Sequence, residues 1–164
     1  MSQKNLYLTA GVSGSGKSTV LRKIISKNPE GVIVSRDFIR FALLGENDKY
    51  FDKEKEVFKE YVHRIQNALD SGKDVYADAT HLNLISRRKL LSNLKLDDVK
   101  IHLLYFKVPL EICLERNQNR SGLAYVPEEV IKRQFKNLTF PDFNEIDTLH
   151  YYSISTITEK GEYC

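Results

Sequence analysis

Residues Gly11-Val12-Ser13-Gly14-Ser15-Gly16-Lys17-Ser18-Thr19 satisfy the pattern G-x-x-x-x-G-K-[ST]. Glycines at these spacings let the main chain wrap closely around an anion and turn its N–H groups inward. A helix that starts at the end of the loop adds the positive end of its dipole. In such a loop Lys17 reaches the β- and γ-phosphates of a nucleoside triphosphate and the Ser18 hydroxyl faces Mg²⁺. Mg²⁺ prefers octahedral oxygen coordination and keeps several waters, so a carboxylate near Ser18 is needed as well. Asp78, the last residue of an apolar run, is the candidate. The nucleotide-binding set read from the loop is therefore Gly11, Ser13, Gly14, Ser15, Gly16, Lys17, Ser18 and Thr19, with Ser18 and Asp78 as metal residues.

A loop that holds a triphosphate is half of a transfer reaction. The other half is a group that orients or deprotonates an acceptor hydroxyl, because phosphoryl transfer is mostly positioning and charge stabilisation. Asp37, in Ser35-Arg36-Asp37-Phe38-Ile39-Arg40, follows an apolar run directly. If it opens a helix, Arg40 lies on the same face three residues on, where a guanidinium can hold an anionic acceptor. The same spacing also suits an N-cap aspartate with a helical ion pair, and the two readings stand equally at this point.

Arg116 and Arg120 lie four apart before Ser121-Gly122-Leu123-Ala124-Tyr125-Val126. An arginine segment closing over the nucleotide excludes water and neutralises charge on the transferred group, so this stretch reads as a lid. Arginines also favour helix C-termini for electrostatic reasons alone. Arg36, Arg87, Arg88, Lys132, Arg133 and Lys136 are available to extend a basic surface toward a phosphodiester backbone. Phe38, Phe41 or Tyr50 are available to stack on a base, or to sit in the core. D-x-x-G and N-K-x-D segments, which accompany this loop in GTP switches, do not occur, which favours ATP.

The elements that must position these residues follow from hydrophobic periodicity. Short apolar runs at residues 6–10, 32–35, 75–78 and 99–108 read as strands buried on both faces, and 151–157 alternates as a fifth. Helical spacing recurs at 18–27, 37–44, around Val57, Tyr61, Ile65 and Leu69, at 84–95, from Pro109 toward Arg120, and from Pro127 to about residue 138. Pro141 is read as closing off a loop. Strands alternating with helices predict an α/β fold, a parallel sheet with helices on both faces and ligands at the carboxyl ends of the strands.

The chain has 164 residues, 41% hydrophobic and 29% charged, enough for one domain over residues 1–164 that buries about 70% of its unfolded surface. Its net charge of only +3, from 25 Lys and Arg against 22 Asp and Glu, does not mark a nucleic-acid binder in bulk. Cys113 and Cys164 have neither metal-ligand nor disulfide-framework spacing, and the four histidines are scattered. The first residues lack a signal-peptide core and no apolar run approaches the ~20 residues that span a bilayer, so a cytoplasmic protein without membrane attachment is expected.

The order and spacing of four segments are informative together: the loop at 11–19, Ser35-Arg36-Asp37-Phe38-Ile39-Arg40, Asp78-Ala79-Thr80-His81-Leu82-Asn83, and Arg116-Asn117-Gln118-Asn119-Arg120 followed by Val126-Pro127. Through about residue 140 they resemble the kinase domain of phage-type polynucleotide 5′-kinases. The resemblance implies a P-loop NTPase fold, a five-stranded parallel sheet of order 2-3-1-4-5 with an arginine-bearing lid. It implies that Lys17 and Ser18 engage phosphates and Mg²⁺, that Asp37 is general base toward a 5′-hydroxyl, that Arg40 grips the acceptor's phosphate and that Arg120 stabilises the donor phosphates. His81 stands where the family often has Asn, and no D-x-D-x-T/V phosphatase segment follows. The expected function is ATP- and Mg²⁺-dependent phosphorylation of a 5′-hydroxyl on a polynucleotide or nucleotide. A kinase of a small metabolite, sugar or antibiotic is the alternative, and a regulatory ATP-binding module the third.

Overall fold

The computed structural model describes residues 3–164. Its elements run β1 (Lys4–Ala10), α1 (Lys17–Lys27), β2 (Val32–Ser35), α2 (Arg36–Leu43), α3 (Glu54–Asp70), β3 (Val75–Asp78), α4 (Leu84–Ser92), β4 (Val99–Phe106), α5 (Leu110–Gln118), a single 3₁₀ turn (Gly122–Ala124), α6 (Glu128–Asn137), α7 (Phe143–Leu149) and β5 (Tyr151–Ile157). The five strands form one sheet of order β2-β3-β1-β4-β5, and every strand pairing is parallel, as expected.

Two apolar layers sandwich this sheet because its strands are buried on both faces and alternate side chains between them. Leu6, Leu8, Ala77 and Leu103 meet α3, α4 and α7 on one side. Tyr76, Leu104 and Phe106 meet α1, α5 and α6 on the other. The stripe Val57, Tyr61, Ile65 and Leu69 on α3 is fully buried, each side chain contributing about 1.5–3 kcal/mol of transfer free energy.

Two differences from the sequence expectation have physical causes. Residues 143–149, to which the sequence reading assigns no element, form α7, whose N-cap Asp142 accepts from the Glu145 amide at 2.8 Å. Arg87, expected on a basic surface, is 0% exposed. Its guanidinium makes a paired contact with the Glu145 carboxylate, at 2.7 and 2.9 Å, and donates to the carbonyls of His81 and Thr139 at 2.9 and 3.0 Å. A buried guanidinium survives only when paired and hydrogen-bonded, and here α7 supplies the partner. Among the described residues no helix is long and apolar enough to cross a membrane.

Candidate active site

β1 ends in the glycine-rich loop, and the loop ends in α1. Gly16 caps α1 in the left-handed region at φ 93°, and no side chain caps that helix, so its first N–H groups are left for an anion. Gly14 also has positive φ, and a Cβ there would lie 2.6 Å from the Cys113 carbonyl oxygen, so only glycine fits. Gly11 is tied to the segment after β3 through its N–H to the Thr80 carbonyl, 2.9 Å. The Lys17 ammonium donates to the Gly11 and Val12 carbonyls at 3.0 and 2.8 Å, leaving one of its three donors for a ligand. Burial lowers its pKa, while Asp78 and Asp37 oppose that shift.

β1 and β3 pair in register, and β3 ends in Asp78. The Ser18 hydroxyl donates to Asp78 Oδ2 at 2.6 Å, and Asp78 is buried. One hydroxyl and one carboxylate oxygen in contact at the end of the loop are hard donors of the kind Mg²⁺ takes. Among the described residues no His/Cys/Asp/Glu cluster offers a competing transition-metal site.

β2 pairs with β3 as far as Ser35 opposite Asp78, which brings Asp37 to the same end of the sheet. Ser35 is the N-cap of α2, its side chain accepting from the Phe38 amide at 3.2 Å, so Asp37 is inside the first turn and free of the capping duty left open above. Asp37 Oδ1 accepts from Arg40 and, at 2.6 Å, from the Tyr50 hydroxyl. Arg40 is 5% exposed and also donates to Glu54 Oε1 at 2.7 Å and to the Tyr50 oxygen at 3.0 Å. In place of an open guanidinium reaching for an acceptor, the structure has one committed to Asp37, Glu54 and Tyr50. Burial and the Asp37 charge push the Tyr50 phenol well above its ordinary pKa, which keeps it an O–H donor.

All of this lines one cleft of ≈290 Å³, bounded by the phosphate loop, Asp37 and Arg40, Tyr50 and Glu54, Asp78, Arg120 and Gln134. Arg120, exposed and two residues past α5, also borders a second recess with Gly14, Gly16, Thr19, Arg116 and Lys160. Arg116 donates to the carbonyls of Gly14 and Glu159, at 3.3 and 2.6 Å, tying the loop to the segment after β5. The stretch read as a lid is exposed except for Val126, whose N–H and C=O are both held by the Asn117 side chain at 3.0 and 2.6 Å.

His81 is 4% exposed and does not line the cleft. Its Nδ1 lies 2.6 Å from the Thr9 carbonyl, which only accepts, so Nδ1 carries the proton and Nε2 accepts from the Tyr61 hydroxyl at 3.1 Å. Burial lowers its pKa to about 3. Sequence reasoning missed Glu54 and Gln134. Gln134 on α6 accepts from the Ser13 amide at 2.9 Å, and nothing in local sequence joins positions 121 residues apart.

The chain is similar to known proteins over most of its length. The L-seryl-tRNA(Sec) kinase of Methanococcus maripaludis is 29% identical over 167 residues, covering 96% of this chain and 61% of that protein. A protein of Autographa californica nuclear polyhedrosis virus named for polynucleotide kinase and RNA ligase activities is 26% identical, over 92% of this chain and 22% of its own length. This chain therefore spans under two thirds of either relative. In a solved structure of a Pnkp1/Rnl/Hen1 complex, one chain superposes with a TM-score of 0.62 and 26% identity over 71% of this chain and 40% of that one. A family model described as an AAA domain matches residues 6–141, from β1 to just past α6, and the chain belongs to that family.

Proposed function

We propose that this chain transfers the γ-phosphoryl group of ATP to the 5′-hydroxyl of a polynucleotide or nucleotide. The observation that carries the proposal is the single cleft in which Asp37 faces Lys17, Ser18 and Asp78. A regulatory module has no evident use for an acid on the acceptor side. The names of both curated relatives, a kinase of an aminoacyl-tRNA and a polynucleotide kinase, support a nucleic-acid acceptor.

The phosphates lie in the loop, with Lys17 beside the β- and γ-oxygens. Ser18 and Asp78 would hold Mg²⁺, which supplies charge neutralisation at those oxygens. Asp37 takes the proton as the acceptor oxygen forms its bond to the γ-phosphorus, and the bond from that phosphorus to the bridging oxygen breaks, releasing ADP. Arg40 and Tyr50 hold Asp37 in place. Arg120, on the donor side, neutralises charge that develops on the transferred group.

The test is transfer from γ-labelled ATP, with Mg²⁺, to 5′-hydroxyl DNA and RNA, 3′-nucleotides, nucleosides and a sugar panel. Label on an oligonucleotide end is expected. Label confined to a sugar or other metabolite replaces this reading with a small-molecule kinase, and free phosphate in every tube replaces it with a regulatory ATPase. Asp37→Asn is expected to keep ATP affinity and slow transfer by about 10² or more; near-normal turnover removes Asp37 from the role.

A further inference from the structure

β2 is an edge strand, and among the described residues no strand pairs with its outer side. Beside that edge lies a groove of ≈560 Å³, walled by Arg22 of α1 and Arg64 of α3, with Val32, Ile33 and Val34 of β2 along its floor. Phe38 stands at its rim, 67% exposed. At its inner end the groove reaches Ser18, Ser35 and Asp78, all three of which also line the reaction cleft.

We infer that this groove is the binding track for the nucleotides that follow the phosphorylated 5′ end, and that it takes a single-stranded polynucleotide. The inference rests on the transfer reading above and deepens it by giving the acceptor's chain a path. Three features select this occupant. Phe38, next in sequence to the proposed base, offers an exposed phenyl face at the groove, and a base can stack on it whatever its identity. Arginines on both walls match a phosphodiester at each side. The Arg64 pair with Glu60 uses Nε, leaving both terminal nitrogens of the guanidinium for phosphate oxygens. The groove is also continuous with the cleft at the metal-binding end, so a chain whose 5′-oxygen faces the γ-phosphorus can leave along it without crossing the sheet.

Of the aromatic and basic residues singled out in the sequence, the structure separates those free for this work from those already used. Arg87 is consumed by Glu145, and Arg36 by Glu54 at 3.0 Å with its guanidinium over the Phe58 ring. Tyr50 is held by Asp37. Phe41 is half-buried with its ring against Tyr50, and Arg88, Lys132, Arg133 and Lys136 are exposed but do not line the groove. Phe38 lines it, and the groove adds Arg22 and Arg64, which the sequence did not single out.

The experiment measures KM and kcat with a 5′-hydroxyl 3′-mononucleotide and with 5′-hydroxyl oligonucleotides of two, four and eight nucleotides. KM is expected to fall tenfold or more from the mononucleotide to the tetranucleotide and then level. Phe38→Ala raises the tetranucleotide KM about tenfold with the mononucleotide KM unchanged, and Phe38→Tyr restores it. Arg64→Ala makes the tetranucleotide KM less sensitive to salt. Phosphorylation of every oligonucleotide with a KM independent of length, or a Phe38→Ala enzyme indistinguishable from wild type on the tetranucleotide, overturns the groove while leaving the transfer reading intact. Transfer to a small molecule and to no nucleic acid overturns both.

Discussion

The Tyr50 hydroxyl donates at 2.6 Å to Oδ1 of Asp37, the same oxygen that takes the Arg40 guanidinium. Among the described residues no protein donor reaches Oδ2, so the carboxylate is pinned by one oxygen and presents the other. A hydrogen bond to a charged group is worth about 1.5–3 kcal/mol, and most of that here is orientation of the base. Tyr50→Phe keeps the ring against Phe41 and Phe51 while deleting the donor. The expected result is a kcat lowered about tenfold with KM for ATP unchanged, read from steady-state transfer; a changed ATP KM with normal kcat excludes this positioning role.

What was legible in the sequence, and what was not, divides along contact distance. The loop with its helix, the alternation of strands and helices and the α3 stripe rest on local spacing, whereas the sheet order was legible only through the family resemblance. The coupling of Arg87 to Glu145 spans 58 residues, and that of Gln134 to Ser13 spans 121, so no periodicity reports either. Helix α7 was legible in principle. Pro141 followed by Asp142, with Glu145 three residues after the cap, is a helix-start signature hidden by the shortness of the element. The environment of Asp37 was half legible, because Arg40 is one turn away but Tyr50 and Glu54 come from the next two segments.

The Arg87–Glu145 pair fastens α4 to α7, and the Tyr151 hydroxyl donates to the same carboxylate at 2.8 Å. Glu145→Leu alone strands a buried guanidinium and is expected to cost about 3–5 kcal/mol of unfolding free energy in urea. The double replacement Arg87→Met with Glu145→Leu recovers most of that loss, because the buried charge is gone. A double variant as unstable as the single one locates the stability in the carbonyl contacts of Arg87 instead.

His81 makes stability depend on pH. Its folded pKa of about 3 lies below the ordinary value of 6.5, so the unfolded chain binds the proton more readily. The contribution is complete above pH 6.5 and is lost progressively as pH falls from there toward 3. At pH 5.5 the loss is on the order of 1 kcal/mol relative to neutral pH. His81→Asn tolerates the positive φ of 37° at this position and has nothing to titrate. Urea unfolding at pH 7.5 and 5.5 is therefore expected to show a smaller pH-dependent loss in the variant than in wild type by about that amount; equal losses in the two proteins assign the effect to other groups.

Gln134 connects the helix after the lid stretch to the phosphate loop, its Oε1 taking the Ser13 N–H at 2.9 Å while its side chain borders the cleft. A glutamate there accepts the same N–H, so the loop keeps its support and the fold is not disturbed. What changes is charge: a carboxylate joins a site built to receive a triphosphate. Like charges a few ångströms apart near a protein surface repel by a few kcal/mol, reduced here by the open side of the cleft. Gln134→Glu is expected to raise KM for ATP about tenfold, with kcat at saturating ATP altered much less. Gln134→Met removes the acceptor without adding charge, strands the Ser13 amide and loosens the loop, so it lowers kcat as well. If the two variants behave alike, the side chain acts only as a prop for the loop; a rise in KM confined to the glutamate places position 134 within reach of the donor phosphates.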